Sequence, residues 1–176
     1  MLLALGEAPI STIPKPLDQL YTSHHTMVYR TAHRITGNAE DAEDVLQTVF
    51  LRLLKRDSLG EIDNPESYLR RSAVNAALDI VRTRQADNTL ELERMPASGS
   101  CTELRDLRDT LRRALAKLPE RTAEMFALRF FEGYANPEIA KLMGLSQIVV
   151  AVTLHRTRRK MQEELKKQYH EKGAAQ

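Results

Sequence analysis

The charged side chains of this 176-residue chain fall into separate acidic and basic groups, which are its clearest chemical features. One short segment, residues 37–50, holds no base and four carboxylates: Glu40, Asp41, Glu43 and Asp44. An exposed acidic face of this kind steers binding toward a basic partner. Cations dominate two later segments, with Arg70, Arg71, Arg82 and Arg84 in one and Arg156, Arg158, Arg159 and Lys160 in the other. Because clustered cations neutralise phosphates, these segments are candidates for contacting nucleic acid.

The composition excludes several classes of protein. The formal net charge is only +2, because the acidic and basic groups cancel in the sum. A single cysteine, Cys101, excludes an internal disulfide framework and agrees with a reducing compartment. The uncharged stretch 142–154 is shorter than the roughly 20 residues that cross a bilayer, and the apolar run 1–5 is too short for a signal peptide. We therefore expect a cytoplasmic protein that does not insert into a membrane.

Three helices are predicted in the first half of the chain. Apolar residues between positions 17 and 35 recur in steps of three or four, which is the spacing of one buried helix face. Gly37 is expected to end this helix, and Asn38 to cap a second one. A third helix begins with the cap-and-proline pair Asn64 and Pro65. The second helix is expected to bury Val45 or Leu46, Val49, Phe50, Leu53 and Leu54.

The last third of the sequence has the pattern of a helix-turn-helix. Asn136 and Pro137 are expected to start a short helix, Gly144 to form the turn, and Ser146 to cap a longer helix. Taken alone, the run 148–152 is typical of a buried strand, but it lies between a cap and a helical tail too long for a strand. An ordinary αα corner shares this pattern, although the nearby cations favour a helix that faces DNA.

Between these two helical parts the periodicity is lost. From Gln85 to Thr102 the residues Asp, Asn, Ser, Gly and Pro accumulate, as in a tether. We therefore predict an all-α fold of two small helical domains joined by a flexible linker, with the helix-turn-helix in the C-terminal domain. The predicted ranges are an extension over 1–15, domains over 16–84 and 104–169, a linker over 85–103 and a tail over 170–176.

With its acidic second helix, Asn-Pro-capped third helix, linker and helix-turn-helix in this order, the chain resembles bacterial RNA polymerase sigma factors of the extracytoplasmic-function group. The resemblance covers residues 17–84 and 104–166. It is strongest in three segments that follow each other as in the family: 36–51, 64–79, and a discontinuous third made of 118–121, 131–133, 138–140 and 154–156. It implies a subunit that binds core RNA polymerase and directs transcription initiation.

For the second helix, the resemblance implies docking on the clamp helices of the largest polymerase subunit. This contact falls on Asp44 and Gln47, with Glu40, Asp41 and Glu43 as flanking charge. The second polymerase subunit would present its flap to the C-terminal domain. An anti-sigma factor is a further implied partner, which would hold the two domains together and mask both functional surfaces.

For the third helix and the preceding loop 57–64, the resemblance implies melting of the minus-ten promoter element. Such a site needs polar edges, a stacking surface and cations for the backbone. The implied contacts are Asn75 and the loop for an unstacked base, Tyr68 for stacking, and Arg70, Arg71, Arg82 and Arg84 for phosphates. Tyr68 also fits a core position by its helical spacing, and Asn75 also fits a solvated helix face.

The helix-turn-helix is implied to read the minus-thirty-five element through the major groove. The candidate contacts are Ser146, Gln147, Thr153, His155, Arg156, Arg158 and Arg159. The sequence departs from the family at 148–153, where two cationic readers are missing and an apolar surface stands in their place. Three consequences are open: an altered promoter preference, reliance on phosphate contacts, or an apolar face that binds a protein such as an anti-sigma factor.

Two other functions fit parts of the sequence. A stand-alone helix-turn-helix regulator would use the N-terminal helices for sensing or dimerisation. A metal-dependent helical enzyme would use His24, His25 and His33 with nearby carboxylates, but the paired Glu-x-x-His motifs of di-metal bundles are absent. The sequence also has no phosphate-binding glycine loop, zinc-type cluster or nucleophile motif, so we expect neither catalysis nor a cofactor.

Overall fold

A computed structural model describes the backbone of residues 15–56, 62–90 and 102–173 and the side chains of residues 17–56, 62–87 and 107–167. Seven helices and no strand occur in these residues. Their bounds are α1 Lys15–Thr36, α2 Ala39–Leu54, α3 Pro65–Leu90, α4 Thr102–Ala116, α5 Glu120–Phe130, α6 Asn136–Met143 and α7 Gln147–Gly173. The predicted all-α fold is confirmed, and the run 148–152 is helical.

Local signals set the helix ends of the N-terminal domain. Gly37 ends α1 with a φ of 70°, a left-handed conformation that favours glycine. The side chain of Asn38 accepts a 2.8 Å hydrogen bond from the Glu40 N–H at the start of α2. The Asn64 side chain does the same for the Ser67 N–H at 3.0 Å, and Pro65 is the first residue of α3. The predicted caps of α2 and α3 are therefore confirmed.

The N-terminal domain is a bundle in which α1, α2 and α3 each contact the other two. Its core includes the buried side chains Val28, Ile35, Val45, Val49, Leu53, Leu69 and Val74. The prediction that Leu54 joins this core is wrong, because 48% of its side-chain surface is exposed. Leu53 already occupies the inward position, and the next residue is rotated by about 100° around the helix.

The C-terminal domain contains the predicted helix-turn-helix. Gly144 turns the chain with a φ of 64°, and α6 and α7 meet at a bend of 110°. The Ser146 hydroxyl accepts from the Val149 N–H at 3.3 Å, as expected of a cap. The N-cap of α6 is Ala135 rather than the predicted Asn136, and the Glu138 carboxylate accepts from the Ala135 N–H at 2.7 Å.

The predicted domain boundaries differ from the helix ends in four places. Helix α1 begins at Lys15, the last residue of the expected extension, and α4 begins at Thr102, inside the expected linker. Helix α3 continues to Leu90, so the first six residues of the expected linker are helical. Helix α7 continues to Gly173, into the expected tail. The remainder of the linker up to Cys101, and the extension before Lys15, lie outside the described residues. The flexibility of the linker therefore stays a prediction.

The two domains pack against each other through α3. This helix contacts α1 and α2 of its own domain and also α4 and α5 of the C-terminal domain. The second domain is closed by α7, which contacts α4, α5 and α6. Within the described ranges, no single helix is long and apolar enough to cross a membrane; α6 and α7 reach this threshold only when taken together across their bend.

Candidate functional site

The predicted polymerase-binding residues divide into exposed and buried members. Glu43, Asp44 and Gln47 lie on the exposed face of α2, as an interaction surface requires. Asp41 is buried, and its carboxylate forms a 2.6 Å ion pair with Arg84 of α3. The expectation that Asp41 contributes to an exposed acidic face is therefore wrong. Asp41 faces inward because α2 turns this position toward α3, one turn before the buried Val45.

Burial raises the pKa of Asp41 above its usual 3.8, and the negative charges of Asp44 and Glu40 raise it as well. The positive charge of Arg84 lowers the pKa, but by less than burial raises it. The desolvation of this carboxylate thus outweighs the attraction of its cation. Arg84, in turn, is engaged by an acid of the neighbouring helix. This ion pair joins an acidic and a basic group that the sequence pattern had separated.

The exposed face of α2 also includes two leucines that the sequence pattern did not assign to it. Leu51 and Leu54 are 52% and 48% exposed, and with Asp44 and Gln47 they follow steps of three and four along the helix. This spacing places the four side chains on one face. Beside it, a shallow cleft between α1 and α2 is lined by Tyr21, His25, Tyr29 and Gln47, among others. Helix α2 therefore presents a mixed acidic and apolar surface.

Two of the four cations predicted for the minus-ten element, Arg70 and Arg71, are engaged by carboxylates of the C-terminal domain. Glu132, in the turn after α5, has a fully buried side chain. Its carboxylate accepts hydrogen bonds from Arg70 at 2.7 Å, from Arg34 at 2.9 Å and from the Thr31 hydroxyl at 2.9 Å. Burial lowers the pKa of Arg70, but the hydrogen bonds to Glu132 and Glu66 together raise it by more than burial lowers it. Arg70 therefore stays a cation. We call this group the Glu132 cluster.

A carboxylate within α5 makes a similar contact. Glu124 is buried and accepts from Arg71 Nε at 2.5 Å and from the Asn75 side-chain amide at 3.3 Å. Arg71 also donates to the backbone oxygen of Leu142 in α6 at 2.7 Å. A third link runs from Arg112 of α4 to the backbone oxygen of Ile35 at 3.0 Å, at the end of α1. Polar contacts therefore tie α1 and α3 to three helices of the other domain.

The remaining minus-ten candidates are also in contact with the protein. Tyr68 is half-buried against the core, and the Arg56 guanidinium lies 5.3 Å from its ring centre. Arg82 forms a 3.5 Å pair with Asp79, while its Nη2 is buried without a partner among the described residues. Only residues 62–64 of the predicted base-binding loop are described, since 57–61 lie outside the described residues.

Sequence reasoning did not single out Glu124 and Glu132 as partners of these cations. Glu124 lies between the buried Ala123 and Met125 on α5, where a charge requires compensation. An acidic residue within an apolar run was the signal that could have indicated a buried ion pair at Glu124. Glu132 is set by the end of α5, where the Tyr134 N–H bonds to the Leu128 oxygen at 3.0 Å and Gly133 has a φ of 77°.

The residues predicted to read the minus-thirty-five element lie on a free surface. Ser146, Gln147, His155, Arg156, Arg158 and Arg159 are all exposed, and Thr153 is half-buried. Among the described residues, Arg156 and Arg158 form no ion pair, and Arg159 reaches Glu163 at 3.5 Å. The structure thus leaves the cations of α7 open to a ligand, whereas those of α3 are engaged.

Two of the histidines weighed as metal ligands, His25 and His33, contact tyrosines one turn earlier on α1. His25 Nδ1 donates to the backbone carbonyl oxygen of Tyr21 at 3.0 Å, and its ring stacks on the Tyr21 ring with a centroid distance of 5.1 Å. His33 stacks in the same way near Tyr29. Within the described residues, no group of three or more His, Cys, Asp or Glu side chains is arranged to hold a metal ion.

Comparison with known proteins identifies both domains. Residues 20–86 match the family model of sigma-70 region 2, and residues 108–161 match that of sigma-70 region 4. The chain is 30% identical over 146 residues to the ECF RNA polymerase sigma factor SigM of Mycobacterium tuberculosis, covering 82% of this chain and 74% of that protein. It is 29% identical over 161 residues to the ECF RNA polymerase sigma factor SigE of Mycolicibacterium smegmatis. This match covers 85% of this chain and 62% of the length of that relative.

A solved structure has the same fold. The sigma factor RpoE of Bartonella quintana, crystallised with the anti-sigma factor NepR, superposes with a TM-score of 0.52 at 21% identity, covering 87% of this chain and 98% of that one. A sigma-70 region 2 domain followed by a sigma-70 region 4 domain defines an RNA polymerase sigma factor. This chain belongs to the extracytoplasmic-function group of these factors.

Proposed function

We propose that this chain binds core RNA polymerase and directs it to promoters. In this proposal the region 2 domain opens the minus-ten element and the region 4 domain binds the minus-thirty-five element. The observation that carries the proposal is the presence of both domains in one chain, each with an exposed surface of the required character. The factor acts in the cytoplasm and catalyses no reaction itself.

Docking on the polymerase is assigned to the exposed face of α2. Asp44 and Gln47 contact the clamp helices of the largest subunit, and Glu43 adds charge that speeds encounter with a basic partner. Leu51 and Leu54 extend this contact with apolar surface that is otherwise exposed to water. The region 4 domain contacts the flap of the second subunit.

Promoter opening is assigned to α3 and the loop before it. Asn75 and the loop hold an unstacked base, Tyr68 supports it, and Arg70, Arg71, Arg82 and Arg84 contact phosphates. Because Glu124 and Glu132 occupy Asn75, Arg70 and Arg71, these residues reach DNA only after the two domains separate. The arrangement in which the two domains pack together, which we call closed, therefore represents the DNA-free factor. Polymerase binding favours the open arrangement, in which the domains are separated.

An anti-sigma factor is a further proposed partner. The complex of RpoE with NepR supports this, since that sigma factor has the same fold. A partner that binds the closed arrangement more tightly than the open one would keep the α3 cations engaged. The partner thereby prevents promoter opening without contacting these cations itself.

The proposal is tested by transcription in vitro with core polymerase and a fragment library from the source genome. We expect specific initiation with the wild-type chain and loss of core binding by at least tenfold for Asp44→Lys combined with Gln47→Ala. Asp87→Lys, which reverses another exposed carboxylate of the same domain, is the control and should bind normally. Binding to promoter DNA without any binding to core polymerase would instead identify a stand-alone regulator.

A further inference from the structure

The start of α7 exposes apolar side chains where a DNA-reading helix faces its ligand. Ile148 is 76% exposed, Val149 47% and Val152 43%. The fourth β-branched residue of this run, Val150, is fully buried and belongs to the core. The domain therefore needs only one of the four side chains for its packing, and the other three are available for contact with a ligand.

These residues lie on the side of α7 that points away from its own domain. The inward face is formed by Val150, Leu154, Thr157 and Met161, all buried. At 100° per residue, Ile148 and Val152 lie on the opposite side of the helix, with Val149 at its margin. The same outward side continues into His155 and Arg159, both exposed. In a helix-turn-helix this side of the second helix enters the major groove.

The charges around the apolar residues favour DNA as the occupant. From Gly144 to Gln162 the chain contains no acidic residue, and four cations lie between Arg156 and Lys160. Such a surface attracts phosphates on either side of a groove. A stable protein interface needs on the order of 20 residues on each side, which is far more than the three apolar side chains present here.

In the major groove, the apolar feature of a base edge is the C5-methyl group of thymine. We propose that Ile148, Val149 and Val152 recognise thymine methyl groups in the minus-thirty-five element, so that this factor reads part of its promoter by apolar contact. The inference rests on the proposed promoter function and adds the chemistry of the bases that are read. It gives a role to the exposed apolar residues at the start of the second helix of the helix-turn-helix.

The test uses holoenzyme reconstituted from core polymerase and the full chain. Promoter duplexes are first selected from a library randomised in the upstream element only, with a fixed minus-ten element. Each thymine of the selected upstream element is then replaced by deoxyuridine, which removes only the methyl group. We expect at least one replacement to weaken binding by roughly three- to fourfold, the effect of withdrawing one buried methyl-sized group.

Variants assign this effect to the named side chains. Ile148→Ala or Val152→Ala should bind the thymine duplex less tightly but lose most of the sensitivity to deoxyuridine, because the two changes remove the same contact. Arg158→Ala is the matched control, since loss of a phosphate contact weakens binding to both duplexes equally. Both apolar positions are exposed, so alanine there preserves the fold, which thermal unfolding of each variant verifies.

Two results overturn the inference alone. One is specific promoter binding that does not depend on thymine methyl groups, either because the selected upstream element contains no thymine or because no deoxyuridine replacement weakens binding. The other is a deoxyuridine effect that persists when Ile148, Val149 and Val152 are all replaced by alanine, which would leave the apolar face to a protein partner. Absence of any specific promoter binding would overturn the proposed function together with this inference.

Discussion

Glu132, in the turn between α5 and α6, accepts a 2.7 Å hydrogen bond from Arg70 of α3, sixty-two positions earlier in the chain. This contact joins the region 4 domain to a residue proposed to bind minus-ten DNA. A buried carboxylate with three donors is stable as long as all donors stay in place. The cluster therefore couples the packing of the two domains to the availability of the α3 cations.

Replacement of Glu132 by glutamine should shift the chain toward the open arrangement. The charge that holds Arg34 and Arg70 is removed, and one charged hydrogen bond contributes about 1.5–3 kcal/mol. We expect affinity of the free chain for single-stranded minus-ten DNA to rise at least tenfold, measured by fluorescence anisotropy, and X-ray scattering to show a larger radius of gyration. Glu120→Gln changes an exposed carboxylate of α5 and is the control. Unchanged DNA affinity and dimensions in Glu132→Gln would contradict the proposed opening.

Removal of Arg71 should destabilise the chain more than removal of an exposed cation. Arg71→Ala leaves the buried Glu124 with only the 3.3 Å contact from Asn75. We expect the free energy of unfolding to fall by about 1–3 kcal/mol in a denaturant titration, against less than about 0.5 kcal/mol for Arg158→Ala.

The double variant Arg71→Ala with Glu124→Gln separates the ion pair from other effects of the substitution. Because it no longer buries an uncompensated charge, it should recover part of the stability lost by Arg71→Ala. Strict additivity of the two single losses would show that Arg71 and Glu124 do not interact.

Gly37 supports a contact between the domains as well as the end of α1. A Cβ atom at this position would overlap the guanidinium of Arg112, whereas nothing lies within 4 Å of a Cβ at Gly144. Both glycines have left-handed φ values, 70° and 64°. Alanine costs about 1–2 kcal/mol at either position for the backbone conformation alone.

We therefore expect Gly37→Ala to be more destabilising than Gly144→Ala. The difference is about 1 kcal/mol, the usual contribution of a hydrogen bond such as that from Arg112 to the Ile35 oxygen. Thermal unfolding of both variants measures it. In an Arg112→Ala background the difference should vanish, and its persistence would exclude Arg112 as the cause.

The ionisation of Asp41 should leave a signature in the dependence of stability on pH. Burial raises its folded-state pKa above 3.8, so the folded chain binds this proton more tightly than the unfolded chain does. The contribution of Asp41 to the free energy of unfolding therefore falls as the pH rises from 3.8 through the raised pKa, and is constant above it. The difference in unfolding free energy between wild type and Asp41→Asn should follow this course between pH 3 and 7. A difference that rises with pH would mean that Arg84 dominates over desolvation.

Local sequence was sufficient for the helices and their ends. Asn38 and Asn64 cap helices through atoms two or three residues away, and Gly144 turns the chain through its own φ. Such interactions involve only neighbouring residues, so the local sequence suffices to predict them. The helix-turn-helix and the order of its elements follow from the same short-range rules. Leu54 was misassigned because an apolar residue next to an inward-facing one can belong to either face.

The sequence by itself determined the helical fold, the exposed cations of α7 and the carboxylates at the start of α2. Only the tertiary structure decided which of these charges meet: Asp41 with Arg84, Arg71 with Glu124, and Arg70 with Glu132. The reason is that an ion pair requires two side chains within a few ångströms, and residues distant in sequence reach that separation only through helix packing. A charge in a sequence therefore specifies what a residue can bind, and the fold specifies whether that capacity is already used.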